Sequence, residues 1–349
     1  MHKTERFFIF DILKVIGLFC IIFAHVQPPY LLLQLRNFDV PLMVIISGVL
    51  FYYTTAGKTI NYLDYLKKRV MRLIYPVWIF LIFYFGSVFL LNYLSGHSFP
   101  YSSKTIIESF LFFEGIGYVW IIRVFILVAL ISPLFLKIYE SIEDKRKYLL
   151  YLLIAYLFYE ILYAVNLRLN FNYIFENIVM YIIPYGIFTA FGFHLTKMKN
   201  KSILIFAGIN LIIFTIIALI LHFKLGYTIP TWHFKYPPGI YFFSYALFCS
   251  LSLYLILKNL NINKIKDNFP QICAIITFIS ASSLWIYLWH IFYIYLWNTY
   301  FDLNNFLLQF FVILILSLST TIIQKQFIQK IIGTEKNNFN NFMSILFLK

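Results

Sequence analysis

The sequence predicts an all-α integral membrane protein of about ten transmembrane helices with both termini cytoplasmic. Three observations predict it. First, the 349 residues are 62% hydrophobic and only 12% charged, with a mean hydropathy of +0.81; soluble domains carry about 25% charged residues. Second, apolar runs close to the length that crosses a ~30 Å hydrocarbon core recur along the whole chain. Third, the basic residues alternate. With the amino terminus inside, 21 of the 28 Lys and Arg fall in cytoplasmic segments and 5 in outer loops (Arg36, Lys104, Arg168, Lys224, Lys235). The other two, Lys14 and Arg123, lie within spans. This is the positive-inside pattern, so the net charge of +14 records topology and not a nucleic-acid partner.

The expected spans, in order, lie near 7–26, 38–55, 73–94, 117–139, 147–164, 178–196, 203–223, 238–257, 272–298 and 306–324. The first, FFIFDILKVIGLFCIIFAHV, is interrupted by charge and followed by no small-x-small cleavage site. It therefore reads as a mature helix and not a signal peptide. The second and fifth are short and could be tilted or half-buried. The third is entered through the basic run KKRVMRLIYPVW, and the eighth follows the turn Tyr236-Pro237-Pro238-Gly239. The ninth is dense in aromatic residues, and the Asn- and Phe-rich end, NNFNNF, reads as a frayed terminus. One membrane domain over 1–330 and a short cytoplasmic tail over 331–349 account for the chain. Cys20, Cys249 and Cys273 are scattered among spans and suit neither a disulfide framework nor metal spacing, so no metal site is expected.

Charges inside a span cost roughly 2.5–3.5 kcal/mol each on insertion scales and usually face a polar interior. The first span holds Asp11, Lys14 and His25. Lys14 and His25 are eleven residues apart, ~20° past three full turns, so they share a face across ~16 Å of rise. His25, expected at the outer end, has an imidazole suited to taking and returning a hydroxyl proton. The alternative is an interfacial histidine bound to a backbone carbonyl. Asp11 and Lys14 read either as part of the same polar stripe or as a buried ion pair fixing a helix contact. Arg69 and Arg72 stand one turn apart at an inner boundary, where guanidinium groups grip phosphates, although topology alone also demands basic residues there. Arg123 lies within the fourth span with Trp120 one turn away, a pair that could meet a sugar. Equally, Arg123 could pair with Asp11 or Glu160. His290 sits among Trp285, Tyr287, Trp289 and Tyr293, as suited to packing as to chemistry.

In order and spacing, these fragments resemble the acyltransferase family 3 membrane proteins. The first span matches that family's opening helix, with a basic residue and a histidine separated by ten positions. VPLMVIISGVLFY, the Arg-x-x-Arg of KKRVMRLIYPVW, the Trp-bearing GYVWIIRVFILVALISPLF and the late IYLWHIFYI follow in sequence. One position departs: Lys14 stands where the family most often has arginine, keeping the charge but losing the two-pronged grip.

The resemblance implies a ten-span O-acyltransferase of a bacterial cell membrane, using cytosolic acyl-CoA, usually acetyl-CoA, as donor substrate and no permanently bound cofactor. Its acceptor would be a surface glycan or lipid-linked sugar in or at the bilayer. Arg69 and Arg72 would hold the donor phosphates with help from Lys14, and His25 would act as base or transient acyl carrier, with Asp11 orienting Lys14. Trp120, Arg123 and His290 would line the acceptor's side. Two other classes compete on residues alone. An exporter of a glycan or lipid-linked sugar would leave acyl groups untouched, and a membrane sensor or scaffold would bind no acyl-CoA.

Overall fold

The computed structural model describes residues 3–169, 171–301, 303–332 and 338–348, with the side chains of 3–7 and 338 outside that description. Among the described residues the chain is all-helical. In order, the helices are α1 (Lys3–Ala24), α2 (Tyr30–Leu35), α3 (Asp39–Thr55), α4 (Tyr62–Arg69), α5 (Tyr75–Leu94), α6 (Ser103–Phe110), α7 (Trp120–Ser141) and α8 (Lys145–Leu169). Then come α9 (Met180–Leu195), α10 (Asn200–Leu225), α11 (Ile240–Lys258), α12 (Ile262–Asn268), α13 (Pro270–Ala281), α14 (Ser283–Tyr300), α15 (Phe306–Ile332) and α16 (Asn338–Phe347).

Eight stretches among the described residues are long and apolar enough to cross a membrane, and a ninth if α13 and α14, broken at Ser282, count as one span. These nine correspond to nine of the ten expected spans. The remaining expected span is α1, which stands outside that count. Both stretches that looked short are longer in the fold. α2 and α3 together give a 26-residue candidate, and α8 runs for 25 residues.

The chain divides into two compact units. The first comprises Met1–Ile60 and Leu127–Ser280. At its centre α3 lies against α1 and α9, a close approach that requires glycine. A Cβ on Gly48 would stand 2.2 Å from the Thr189 carbonyl oxygen, and one on Gly192 would stand 2.3 Å from that of Ile45. Small residues at such crossings let helix backbones meet, which is how helices pack in lipid without a hydrophobic driving force between them. α8 is tied to α9 by Tyr148, whose hydroxyl donates to the Ala190 carbonyl at 2.8 Å. α9 is 72% buried over its most apolar window and α10 only 11%, so α9 forms the core and α10 the lipid-facing rim.

The second unit comprises Asn61–Ile126 and Ala281–Lys349. Here α14 packs on α15 and α5. Trp289 Nε1 donates to Gln324 Oε1 at 2.6 Å, and the Phe83 ring meets Trp289 with centroids 5.1 Å apart. Between α4 and α5 the helix widens into a π turn at Val70–Ile74. Pro76 explains it: it has no N–H to give the Arg72 carbonyl, and its ring crowds that turn. The terminal segment differs from the frayed end expected. α16 is helical, Trp285 Nε1 donates to the Leu346 carbonyl at 2.9 Å, and its ring stacks on Phe347. Residues 333–337 and 349 of the expected tail lie outside the described residues.

Candidate functional site

In the first unit, Asp11 and Lys14 do not join directly. Both reach Ser280, near the end of α13. Lys14 Nζ donates to the Ser280 carbonyl at 2.7 Å, and Ser280 Oγ donates to Asp11 Oδ1 at 2.5 Å. The last four carbonyls of a helix have no intrahelical donor and carry partial negative charge. The Lys14 ammonium therefore caps α13 where its ladder runs out. A compact ammonium can reach one isolated carbonyl, whereas a guanidinium fork is matched to paired acceptors.

His25 lies just past the end of α1, half-buried, with its backbone N–H donating to the Ile22 carbonyl at 3.0 Å. α1 and α3 are neighbours, so the connection from His25 to Phe38 lies at one end of this unit. Composition did not single out what gathers there. Asp39, 1% exposed, begins α3 with its Oδ2 paired to Arg36 Nη1 and its Oδ1 3.3 Å from Lys235 Nζ. The segment between α10 and α11, including the short 3-10 turn Thr231–Phe234, is stitched onto this end. Asn37 Nδ2 donates to Thr231 Oγ1 at 2.8 Å, the Thr231 N–H to Gln34 Oε1 at 2.8 Å, and the Tyr245 hydroxyl to the Leu35 carbonyl at 2.8 Å. Burial pushes the Lys235 ammonium down to about 8, with Asp39 pulling it back up.

Arg36 and Lys235 entered the sequence reading only as outer-loop charges, and Asp39 not at all. The signal that could have found them was polarity in apolar company, NFDV and HFKY, but their meeting across 196 positions is invisible in one dimension. Three buried atoms of this group have no hydrogen-bond partner among the described residues: Arg36 Nε, Asn37 Oδ1 and the Tyr185 hydroxyl. Tyr185 and Tyr236 lie within electrostatic reach of Asp39.

In the second unit, Arg69 ends α4 half-buried with its guanidinium 5.0 Å from the Tyr65 ring centroid, and Arg72 lies exposed in the π turn. That turn spreads the two arginines further round the axis than an α-helix would. Trp120 opens α7, and the buried Arg123 guanidinium stands over the Phe113 ring at 5.7 Å. The preceding loop is held by Ser109, whose Oγ accepts the Ile116 N–H at 3.0 Å. Gly115 is obligatory there: its φ is +44°, and a Cβ would stand 2.6 Å from Ser109 Cα. His290 is fully buried; its Nδ1 donates to the Tyr287 carbonyl, and its ring meets Tyr118 at 6.1 Å. Tyr287 in turn donates its hydroxyl to the Tyr118 carbonyl at 2.6 Å. The fold thus brings His290 against the segment that carries Trp120 and Arg123. Asp11 and Lys14 lie on α1 and His25 in the turn that follows it, all in the first unit, and the arginine pair lies in the second.

Set against known families, residues 7–323 match the one described as an acyltransferase domain (Acyl_transf_3). No curated protein and no solved structure matches the chain.

Proposed function

The chain belongs to acyltransferase family 3 over nearly its whole length, and on that premise we propose that it is a membrane O-acyltransferase of surface glycans. It moves an acyl group, most simply acetyl, from cytosolic acyl-CoA to a hydroxyl of a capsular polysaccharide, exopolysaccharide or other surface glycan at the bacterial cell membrane. The family match carries this reading. The position of His25 supports it, because a half-buried imidazole at the end of α1 is open to both a hydroxyl and a thioester.

In this reading the Arg69 and Arg72 guanidinium groups hold the donor's phosphates, since planar forks bind phosphate oxygens bidentately. The acceptor oxygen attacks the thioester carbonyl as His25 Nε2 or Nδ1 takes the hydroxyl proton. The C–O bond forms, the C–S bond breaks, and the proton passes to the departing CoA thiolate. Alternatively, the imidazole nitrogen itself attacks the thioester, the C–S bond breaks and the CoA thiolate leaves with the ring's proton; the acyl-imidazole then yields its acyl group to the acceptor oxygen, whose proton returns to the ring. Trp120, Arg123 and His290 serve the acceptor. Lys14 and Asp11 keep the α1–α13 junction in register.

The test uses the full chain in nanodiscs with radiolabelled acetyl-CoA and a glycan acceptor. His25→Ala should abolish transfer, a drop of at least about 10²-fold as expected for loss of a general base, with unchanged thermal unfolding. Full activity in that variant rejects the assignment. Acid quench without acceptor separates the two routes: label on wild-type protein but not on His25→Ala marks an acyl carrier, and no label marks a base.

A further inference from the structure

The mechanism leaves unused the buried group at the His25 end of the first unit. Arg36 and Lys235 both press on the single carboxylate of Asp39, leaving two cations for one anion. Lys235 is 3% exposed and Asp39 is 1% exposed, while the Arg36 side chain keeps 12% of its surface open. An excess charge held out of water keeps much of its desolvation penalty even after the protein relaxes. A triad serving only to pin α3 to the α10–α11 segment would be better built from one cation and one anion.

Three orphaned atoms point the same way. Arg36 Nε and the Tyr185 hydroxyl are buried donors, and Asn37 Oδ1 is a buried acceptor, all without a partner among the described residues. Asn37 and Tyr185 are both 0% exposed. A buried donor or acceptor left unpaired keeps its full desolvation penalty. Together they offer what a sugar carboxylate needs: two N–H or O–H donors, excess positive charge, and an acceptor for a neighbouring hydroxyl. The rim adds ring faces. Trp232 is 37% exposed and stacked on His233 with centroids 4.1 Å apart, and Tyr236 is 51% exposed beside Lys235.

We propose that Arg36, Lys235, Tyr185 and Asn37 form an acceptor subsite that takes the carboxylate of an acidic sugar. The subsite rests on the acyltransferase reading above and narrows its acceptor to uronate-type glycans. The excess cation supplies selectivity: a neutral sugar leaves it unbalanced, and a carboxylate neutralises it.

Binding is measured on the full chain in nanodiscs, without acyl-CoA, using methyl β-glucuronide, methyl β-glucoside and inorganic diphosphate as probes. The glucuronide should bind at least 10-fold more tightly than the glucoside. Arg36→Gln should remove that preference while leaving thermal stability equal or raised, because the Asp39–Lys235 pair that remains is neutral. Tyr185→Phe should weaken glucuronide binding with no loss of stability. Equal binding of the two glycosides overturns the proposal. So does a marked stability loss in Arg36→Gln with binding retained, which a purely structural triad predicts. Diphosphate binding as tightly as the glucuronide would also overturn it, assigning the site to a lipid-linked diphosphate instead. Acyl transfer to a neutral glycan, followed on the same samples, keeps the two readings separable. Transfer without glucuronide binding removes the subsite alone, and glucuronide binding without transfer to any acceptor removes the acyltransferase reading alone.

Discussion

Lys14 shows how one side chain changes meaning when its neighbours are known. As sequence it is a costly charge on the polar face of the first span; in the fold its ammonium ends α13 by donating to the Ser280 carbonyl. Lys14→Met should therefore cost about 1–3 kcal/mol of stability, the cost of a buried acceptor left unpaired, read from unfolding in detergent. Unchanged stability would show that the cap carries no load. Lys235 gives a pH prediction. Burial holds its ammonium near 8 against an ordinary 10.5, with Asp39 opposing. Below pH 8 the group is protonated folded and unfolded alike. Between 8 and 10.5 the unfolded chain binds a proton that the folded chain lacks, so this group makes stability rise with pH across that window. The difference in melting temperature between wild type and Lys235→Met should accordingly shift in favour of wild type from pH 7.5 to 9.5. A constant difference refutes the depressed value. These residues were half legible. Ionisable groups inside apolar runs could be seen, but their partners, lying 196 to 269 positions away, could not.

At the level of the helix, glycine and proline decide the geometry. Gly48 and Gly192 put α3 and α9 in backbone contact, and the atoms a new Cβ would strike are carbonyl oxygens that cannot swing aside. Gly48→Ala should destabilise by about 1–3 kcal/mol, the usual cost of overpacking. Gly208 on α10 has nothing within 4 Å of an added Cβ. Gly208→Ala should be neutral or stabilising by up to about 1 kcal/mol, from helix propensity. Equal effects at the two sites would contradict the packing described. In the other unit, Pro76 opens the π turn in which Arg72 lies. If the arginine pair holds the donor's phosphates, Arg69→Ala should weaken acyl-CoA binding at least 10-fold, about 1.4 kcal/mol, measured by ligand-induced thermal shift. Unchanged donor affinity removes that role. Ser47-Gly48 and Pro76 were visible in the sequence as motif fragments; the Thr189 backbone that makes Gly48 necessary was not.

For the whole molecule, membrane character follows from composition, because 62% apolar and 12% charged residues leave no aqueous fold to build. For orientation, the charge bias predicts cytoplasmic termini by the positive-inside rule. A single cysteine at position 97 should be labelled by an impermeant maleimide added to intact cells, and one at position 68 should not. The opposite pattern inverts the topology. The sequence by itself determined the class of fold, nine of the ten span positions and the family, because hydropathy, charge bias and ordered motif fragments are one-dimensional properties. Tertiary structure alone decided which groups these buried charges meet. It set Lys14 and Asp11 on Ser280, and it assembled Arg36, Asp39 and Lys235 from two distant segments into one buried group. The physical reason is that a buried charge takes its role from whatever neutralises it, and only folding brings that partner within reach.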